Sequence, residues 1–119
     1  MIHWVTQILA VLTGLEFIYI FYLETVRTDS GQTAKTFGLD VSVLQRPEMK
    51  MAMKNQGVYN LGIALLVLCD VFFLDSKPAL AGLMAFIVLV ALYGSLTVDR
   101  KILLKQGGLA ILTLASCLL

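Results

Sequence analysis

Four apolar stretches, each about as long as a bilayer is thick, constrain this chain more than any other feature of it. They run from Trp4 to Leu23, Asn55 to Leu74, Ala79 to Val98 and Ile102 to Leu119. A helix needs about 20 residues to cross the hydrocarbon core of a membrane, so the first three fit and the fourth is slightly short. Lipid offers no partner for a backbone amide, and the segments must therefore be helical. The expected fold is all-α: one integral membrane domain over residues 1–119, a bundle of four transmembrane helices with a long amphipathic first loop. Composition agrees. Apolar residues make up 59% of the 119 residues and charged residues 14%, against roughly 45–50% and 25% in soluble domains.

The connections differ in kind. Asp75-Ser76-Lys77-Pro78 reads as a tight turn in which Pro78 separates two helices, and Asp99-Arg100-Lys101 as another. Residues 24–54 form a long mixed loop. Asp29-Ser30-Gly31 is a turn signal, Thr33 to Leu39 can form a short helix closed by Gly38, and Asp40 or Ser42 can cap a second. Leu44, Met49, Met51 and Met53 among Arg46, Lys50 and Lys54 read as an interfacial lead-in to the second span, or as a lid over a pocket.

The nine Lys and Arg residues are unevenly shared. Arg27, Lys35, Arg46, Lys50 and Lys54 lie in the first loop, Arg100, Lys101 and Lys105 at the third, and Lys77 alone on the other side. The positive-inside rule then places both basic loops in the cytoplasm and both termini outside. Trp4 belongs to the outer aromatic belt. The start of the chain lacks a positive n-region and a small-residue cleavage site, and Glu16 interrupts its apolar run, so it reads as a retained helix and not a signal peptide.

Several functions are excluded or left without support. A net charge of +1 with no basic stripe gives nucleic acid no footprint. Cys69 and Cys117 lie in apolar runs as small hydrophobes, His3 is the single histidine, and neither a metal set nor a cofactor motif is present.

The polar residues inside the spans carry the functional reading. A carboxylate near the bilayer centre costs at least ~2.5 kcal/mol. Glu16 lies about 12 Å along the helix from Glu24. Glu24 can reach headgroup water as an interfacial charge; Glu16 cannot do so easily and is expected to face the interior. Asn55, Gln56, Tyr59 and Asn60 open the second span, Tyr93 and Thr97 close the third, and Gln106 begins the fourth, whose Gln106, Ala110, Thr113 and Cys117 share a face. Glu16, Tyr19, Asn55, Gln56, Tyr59, Asn60, Tyr93, Thr97 and Gln106 all fall in the cytoplasmic half of their spans. Asp70, by contrast, reads as a solvated charge at the outer end. Gly57, Gly62, Gly94, Gly107 and Gly108 read as close-packing positions.

The same residues resemble a bacterial family, domain of unknown function 1304, over essentially the whole chain. The resemblance rests on Leu15-Glu16 with Tyr19 and Tyr22-Leu23-Glu24, on Phe37-Gly38-Leu39, on Asn55-Gln56-Gly57-Val58-Tyr59-Asn60, on Tyr93-Gly94-Ser95-Leu96-Thr97 and on Gln106-Gly107. It implies a small four-helix membrane protein and no activity. Phe17 stands where the family often has histidine, which weakens a Glu-His metal or proton relay. Small multidrug exporters share four short helices and a glutamate midway along the first, an architectural analogy only.

Three functions compete. The first is binding or transport of a small molecule or ion, with Glu16 as proton or ligand site and Tyr19, Asn55, Gln56, Tyr59, Asn60, Tyr93, Thr97 and Gln106 around it; Glu24 is secondary, and transport implies a homodimer. The second is an intramembrane enzyme on a lipid-like substrate with Glu16 as general acid or base. The third is a structural or partner-binding role in which the amides and hydroxyls join helices. For the topology, a reporter fused after Leu119 should be active on the outer side; activity confined to the cytoplasm would reverse the assignment.

Overall fold

The computed structural model describes all residues, 1–119. It contains six α-helices and no strand: α1 (Trp4–Phe21), α2 (Gly31–Phe37), α3 (Val41–Leu44), α4 (Pro47–Cys69), α5 (Lys77–Thr97) and α6 (Ile102–Ser116). Two π-helical turns, Tyr22–Val26 and Asp70–Leu74, continue α1 and α4. Three helical runs are long and apolar enough to cross a membrane: Trp4–Val26, Pro47–Leu74 and Lys77–Thr97, with mean hydropathies of 1.6, 2.0 and 2.3. At ~1.5 Å per residue the shortest of them spans about 31 Å, enough for a hydrocarbon core of about 30 Å. The apolar α6 has 15 residues and reaches only about 22 Å on the same rise.

The second helix begins eight residues before the expected Asn55. Pro47 sits in its first turn, where a missing N–H costs nothing, and Glu48 meets the positive helix end. Met49 to Lys54 therefore belong to the first turns of α4, continuous with the second span. The first helix likewise runs on to Val26 through its π-turn. Between them, α2 is capped by Ser30, whose Oγ accepts from Thr33 N at 3.1 Å, and is closed by Gly38 at φ 68°. That angle is the left-handed conformation glycine adopts without Cβ strain. Asp40 precedes α3 with extended backbone but makes no side-chain cap.

The chain clusters into two compact units where the sequence reads as one domain. One comprises Met1–Gly14 with Leu65–Leu119, the other Leu15–Ala64. In the first, Leu80, Met84, Ile87 and Ala91 form the buried stripe of α5, at the 4-3-4 spacing of one helix face. Small residues let α6 approach it. A Cβ on Gly107 would stand 3.1 Å from Ala91 Cβ, and one on Gly94 3.2 Å from Ile102 Cγ2. Gly14 meets Leu68 in the same way, at 3.1 Å. Such contacts hold helices together in lipid, where burying apolar surface between helices gains little.

Hydroxyls join α6 to the N-terminal half of α1. Thr6 Oγ1 donates to Ser116 O at 3.0 Å, and Ser116 Oγ donates to Thr6 Oγ1 at 2.8 Å. Thr13 and Thr113, both fully buried, bring their hydroxyls to 3.3 Å. The expected face of α6 is largely the buried one: Ala110, Thr113 and Cys117 lie inside, and Gln106 is half-buried. Both cysteines are free.

The outward residues of this unit are large and apolar, among them Phe72, Phe73, Leu74, Phe86, Leu89 and Leu96, a surface suited to lipid. Thr6→Val keeps the side-chain shape while removing the donor to Ser116. It should destabilise the protein in detergent by about 0.6 kcal/mol, the usual value of a hydrogen bond between membrane helices. An unchanged unfolding midpoint would show that α6 is held by packing alone.

Candidate functional site

The Leu15–Ala64 unit holds both glutamates of the first helix and the polar start of the second. It is built around the way the first helix ends. A π-turn closes the helix through Arg27 N–H to Tyr22 O at 3.0 Å, which leaves the carbonyls of the last turn without helical donors. Side chains replace them. Thr33 Oγ1 lies 3.1 Å from Leu23 O and 2.6 Å from Arg27 O. Thr28 Oγ1 donates to Glu24 O at 2.7 Å, and Lys54 Nζ to Thr25 O at 2.9 Å. Thr25 Oγ1 donates back to Lys54 O at 2.9 Å. α4 is thus tied to the end of the first helix in both directions.

Gly57 permits this closeness. A Cβ there would overlap Thr25 Oγ1 and stand 3.1 Å from Glu24 Cβ. One turn further along α4, Asn60 Nδ2 donates to Glu24 Oε1 at 2.5 Å. Glu24 is only 4% exposed. It is not the headgroup-facing charge its position suggests, because the π-turn carries its side chain under α4. In the loop after the first helix, Asp29 Oδ2 lies 3.1 Å from the ammonium of Lys50, whose hydrogen bond and charge hold the Asp29 carboxyl below its ordinary 3.8.

Glu16 is treated differently. It is half-buried, and its Oε1 lies inside the protein without a hydrogen-bond partner. None of Tyr19, Tyr59, Asn60 or Tyr93 bonds to it; Asn60 is committed to Glu24. Tyr19 and Tyr59 are 49% and 74% exposed, and Asn55 and Gln56 are also exposed, so α4 turns this polar edge outward. Of the polar residues singled out from sequence in this unit, the structure joins Asn60 and Glu24 by a hydrogen bond and makes no side-chain hydrogen bond among the others.

The remaining three lie in the other unit. Tyr93 is exposed, Gln106 half-buried, and Thr97 exposed with its hydroxyl donating to Tyr93 O at 2.8 Å. Thr97 also lines an open depression of about 630 Å³ with Ser95, Leu96, Val98 and Arg100, at the C-terminal end of α5. Asp70 in this unit is 1% exposed and corrects the expectation of a solvated end charge. It turns inward because its Oδ1 accepts the Ser76 N–H at 3.0 Å, an N–H that α4 no longer supplies with a carbonyl. Thr25, Thr28 and Thr33 were not singled out in the sequence; three threonines within nine residues of a span's end, with a lysine at the start of the next, are the one signal that could have marked them. His, Cys, Asp and Glu residues form no cluster of three able to hold a metal ion.

Asn60→Leu strands the buried Glu24 carboxylate oxygen and should lower the melting temperature clearly, by an amount corresponding to roughly 1–3 kcal/mol. Glu24→Gln, which keeps an amide carbonyl as acceptor, should lower it less. Equal losses in the two variants would mean that charge and not the hydrogen bond matters here.

A family described as "Protein of unknown function (DUF1304)" matches residues 11–118. An "Uncharacterized protein YpaA" from Lactococcus lactis subsp. lactis (strain IL1403) is 46% identical over 112 residues, covering 93% of this chain and 94% of its own length. No solved structure matches.

Proposed function

The chain belongs to the DUF1304 family, which is described as of unknown function, and from its residues we propose a membrane-embedded protein that binds, and as a homodimer transports, a small cationic or polar solute at Glu16. The observation that carries this reading is the contrast between two carboxylates on one helix. Glu24 has a protein donor in Asn60; Glu16, two turns deeper in the span, keeps a buried oxygen free. An unsatisfied carboxylate oxygen inside a membrane helix is costly, and such groups commonly mark ligand or proton sites. Tyr19 lies one turn from Glu16. The exposed Asn55, Gln56 and Tyr59 are poor lipid neighbours, and a second copy of the chain would supply them with partners.

In this reading α6 is a fourth span, short but held by Thr6, Thr13, Thr113 and Ser116, and its few following residues extend it toward the outer surface. Both termini are outside, which puts the Glu24 end of the first helix at the cytoplasmic face. The Glu24 cluster, in this scheme, fixes α4 against the first helix and positions the stretch that carries Glu16.

Purified protein should bind tetraphenylphosphonium, a lipophilic cation, with an affinity that changes with pH. Glu16→Gln should weaken binding at least tenfold and remove the pH dependence while leaving the melting temperature nearly unchanged. Glu24→Gln should bind almost as the natural protein does. Binding by Glu16→Gln equal to that of the natural chain would remove Glu16 from the site.

A further inference from the structure

The first helix and α4 end in the same unusual way, each with a π-turn that holds a buried acidic residue: Glu24 in one, Asp70 in the other. Their surroundings differ in one respect. At the end of the first helix, threonine hydroxyls, Lys54 and the Asn60 amide supply donors to the carbonyls and to the carboxylate. At the end of α4 the donors are main-chain N–H groups alone: Asp75 N–H to Asp70 O, and Ser76 N–H to Asp70 Oδ1 at 3.0 Å.

The second carboxylate oxygen of Asp70, Oδ2, is buried and has no partner. The residue as a whole is 1% exposed. No lysine or arginine forms an ion pair with it; the chain's one ion pair is Lys50–Asp29. Lys77, the cation nearest in sequence, makes none. Leaving a buried carboxylate uncompensated is strongly unfavourable.

A second carboxylate belongs to the same turn. Asp75 adopts φ 51°, which reverses the chain, and its Oδ1 accepts the Ile2 N–H at 2.9 Å. Ile2 is buried, and its carbonyl accepts from Gln7 Nε2 at 3.2 Å. The six residues from Asp70 to Asp75 therefore gather two carboxylates at the negative end of a long helix, where a cation is favoured. The positive start of α5 offsets part of this through Ser76, and one carboxylate oxygen on each aspartate is already engaged.

We propose that the Asp70–Asp75 turn binds a hard divalent cation of the calcium class, with Asp70 Oδ2 as its buried ligand and Asp75 and turn carbonyls as further oxygen donors. Oxygen-only ligation from carboxylates, main-chain carbonyls and water suits calcium; the absence of a His or Cys partner at the turn disfavours zinc-like ions. The bound ion neutralises Asp70, and through Asp75 and Ile2 it fixes the first residues of the chain against the turn. The site lies in the unit that does not contain Glu16, so it stands or falls independently of the proposed solute site.

Trp4, the chain's single tryptophan, lies two residues from Ile2 and serves as an energy donor. Terbium chloride added to the full chain in detergent should give saturable luminescence on tryptophan excitation, displaced by calcium chloride, and calcium alone should raise the melting temperature. Asp70→Asn keeps an oxygen to accept the Ser76 N–H but removes the charge. It should weaken terbium and calcium at least tenfold and abolish the thermal shift. A natural chain with no saturable signal, or an Asp70→Asn variant responding as the natural chain does, overturns the proposal. Should Asp70→Asn fail to fold, Asp75→Asn decides in its place: weaker binding by tenfold supports the site, and unchanged binding overturns it. Tetraphenylphosphonium binding measured on the same samples tells a failure here from a failure at Glu16.

Discussion

The three helical runs long and apolar enough to cross a membrane share one constraint: inside a bilayer no backbone carbonyl or amide can turn to water. The middle of a helix meets it automatically. The ends do not, and two of the three long spans end in a π-turn. At Tyr22–Val26 the freed carbonyls are met by Thr28, Thr33 and Lys54. Those contacts in turn decide where α2 starts, how close α4 approaches and why residue 57 is glycine. The loop between the first helix and α4, which carries α2 and α3, is thus ordered by the needs of a helix end.

The second consequence concerns what holds helices together. Apolar side chains gain little from leaving lipid for each other. Small residues and hydroxyls therefore line the contacts, at Gly14, Gly57, Gly94, Gly107, Ala91 and the Thr6, Thr13 and Thr113 positions. Large aromatics such as Phe72, Phe73 and Phe86 face outward. Large apolar residues are thus shared between the two environments, with Phe17, Leu23, Leu80 and Met84 buried, whereas a soluble domain keeps most of its bulk inside. Gly62 and Gly108, which have open space around them, show that a glycine in a span is not by itself a contact.

The apolar runs, the Gly38 closure and the turn at Asp75–Pro78 were legible in the sequence because each depends on residues adjacent in the chain. The start of α4 was misplaced because Lys50 and Lys54 look interfacial, although a helix can carry them outside the apolar core. Glu24 and Asp70 were misread for a different reason. Both stand at span ends, where one-dimensional reasoning expects water. Their burial depends on a π-turn, which has no sequence signature, and on partners far away: Asn60 is 36 residues from Glu24. Thr6 and Thr13 escaped notice because a threonine in an apolar run reads as filler, and its partners on α6 are at least 100 residues distant. Asn60 itself was legible as a polar group needing a reason, but not which carboxylate it would serve.

The three acidic residues within the spans form a graded series. Glu24 has a side-chain donor on one carboxylate oxygen. Asp70 has a main-chain donor on one oxygen and none on the other. Glu16 has a buried oxygen with no donor at all. A chain that surrounds the end of its first helix with threonine hydroxyls has the means to satisfy a carboxylate, so want of donors in the sequence is not the reason two oxygens stay free. An unmet buried oxygen lowers stability wherever it occurs. It persists at Asp70 and Glu16 and not at Glu24, and the ligand roles proposed for the first two rest on that difference.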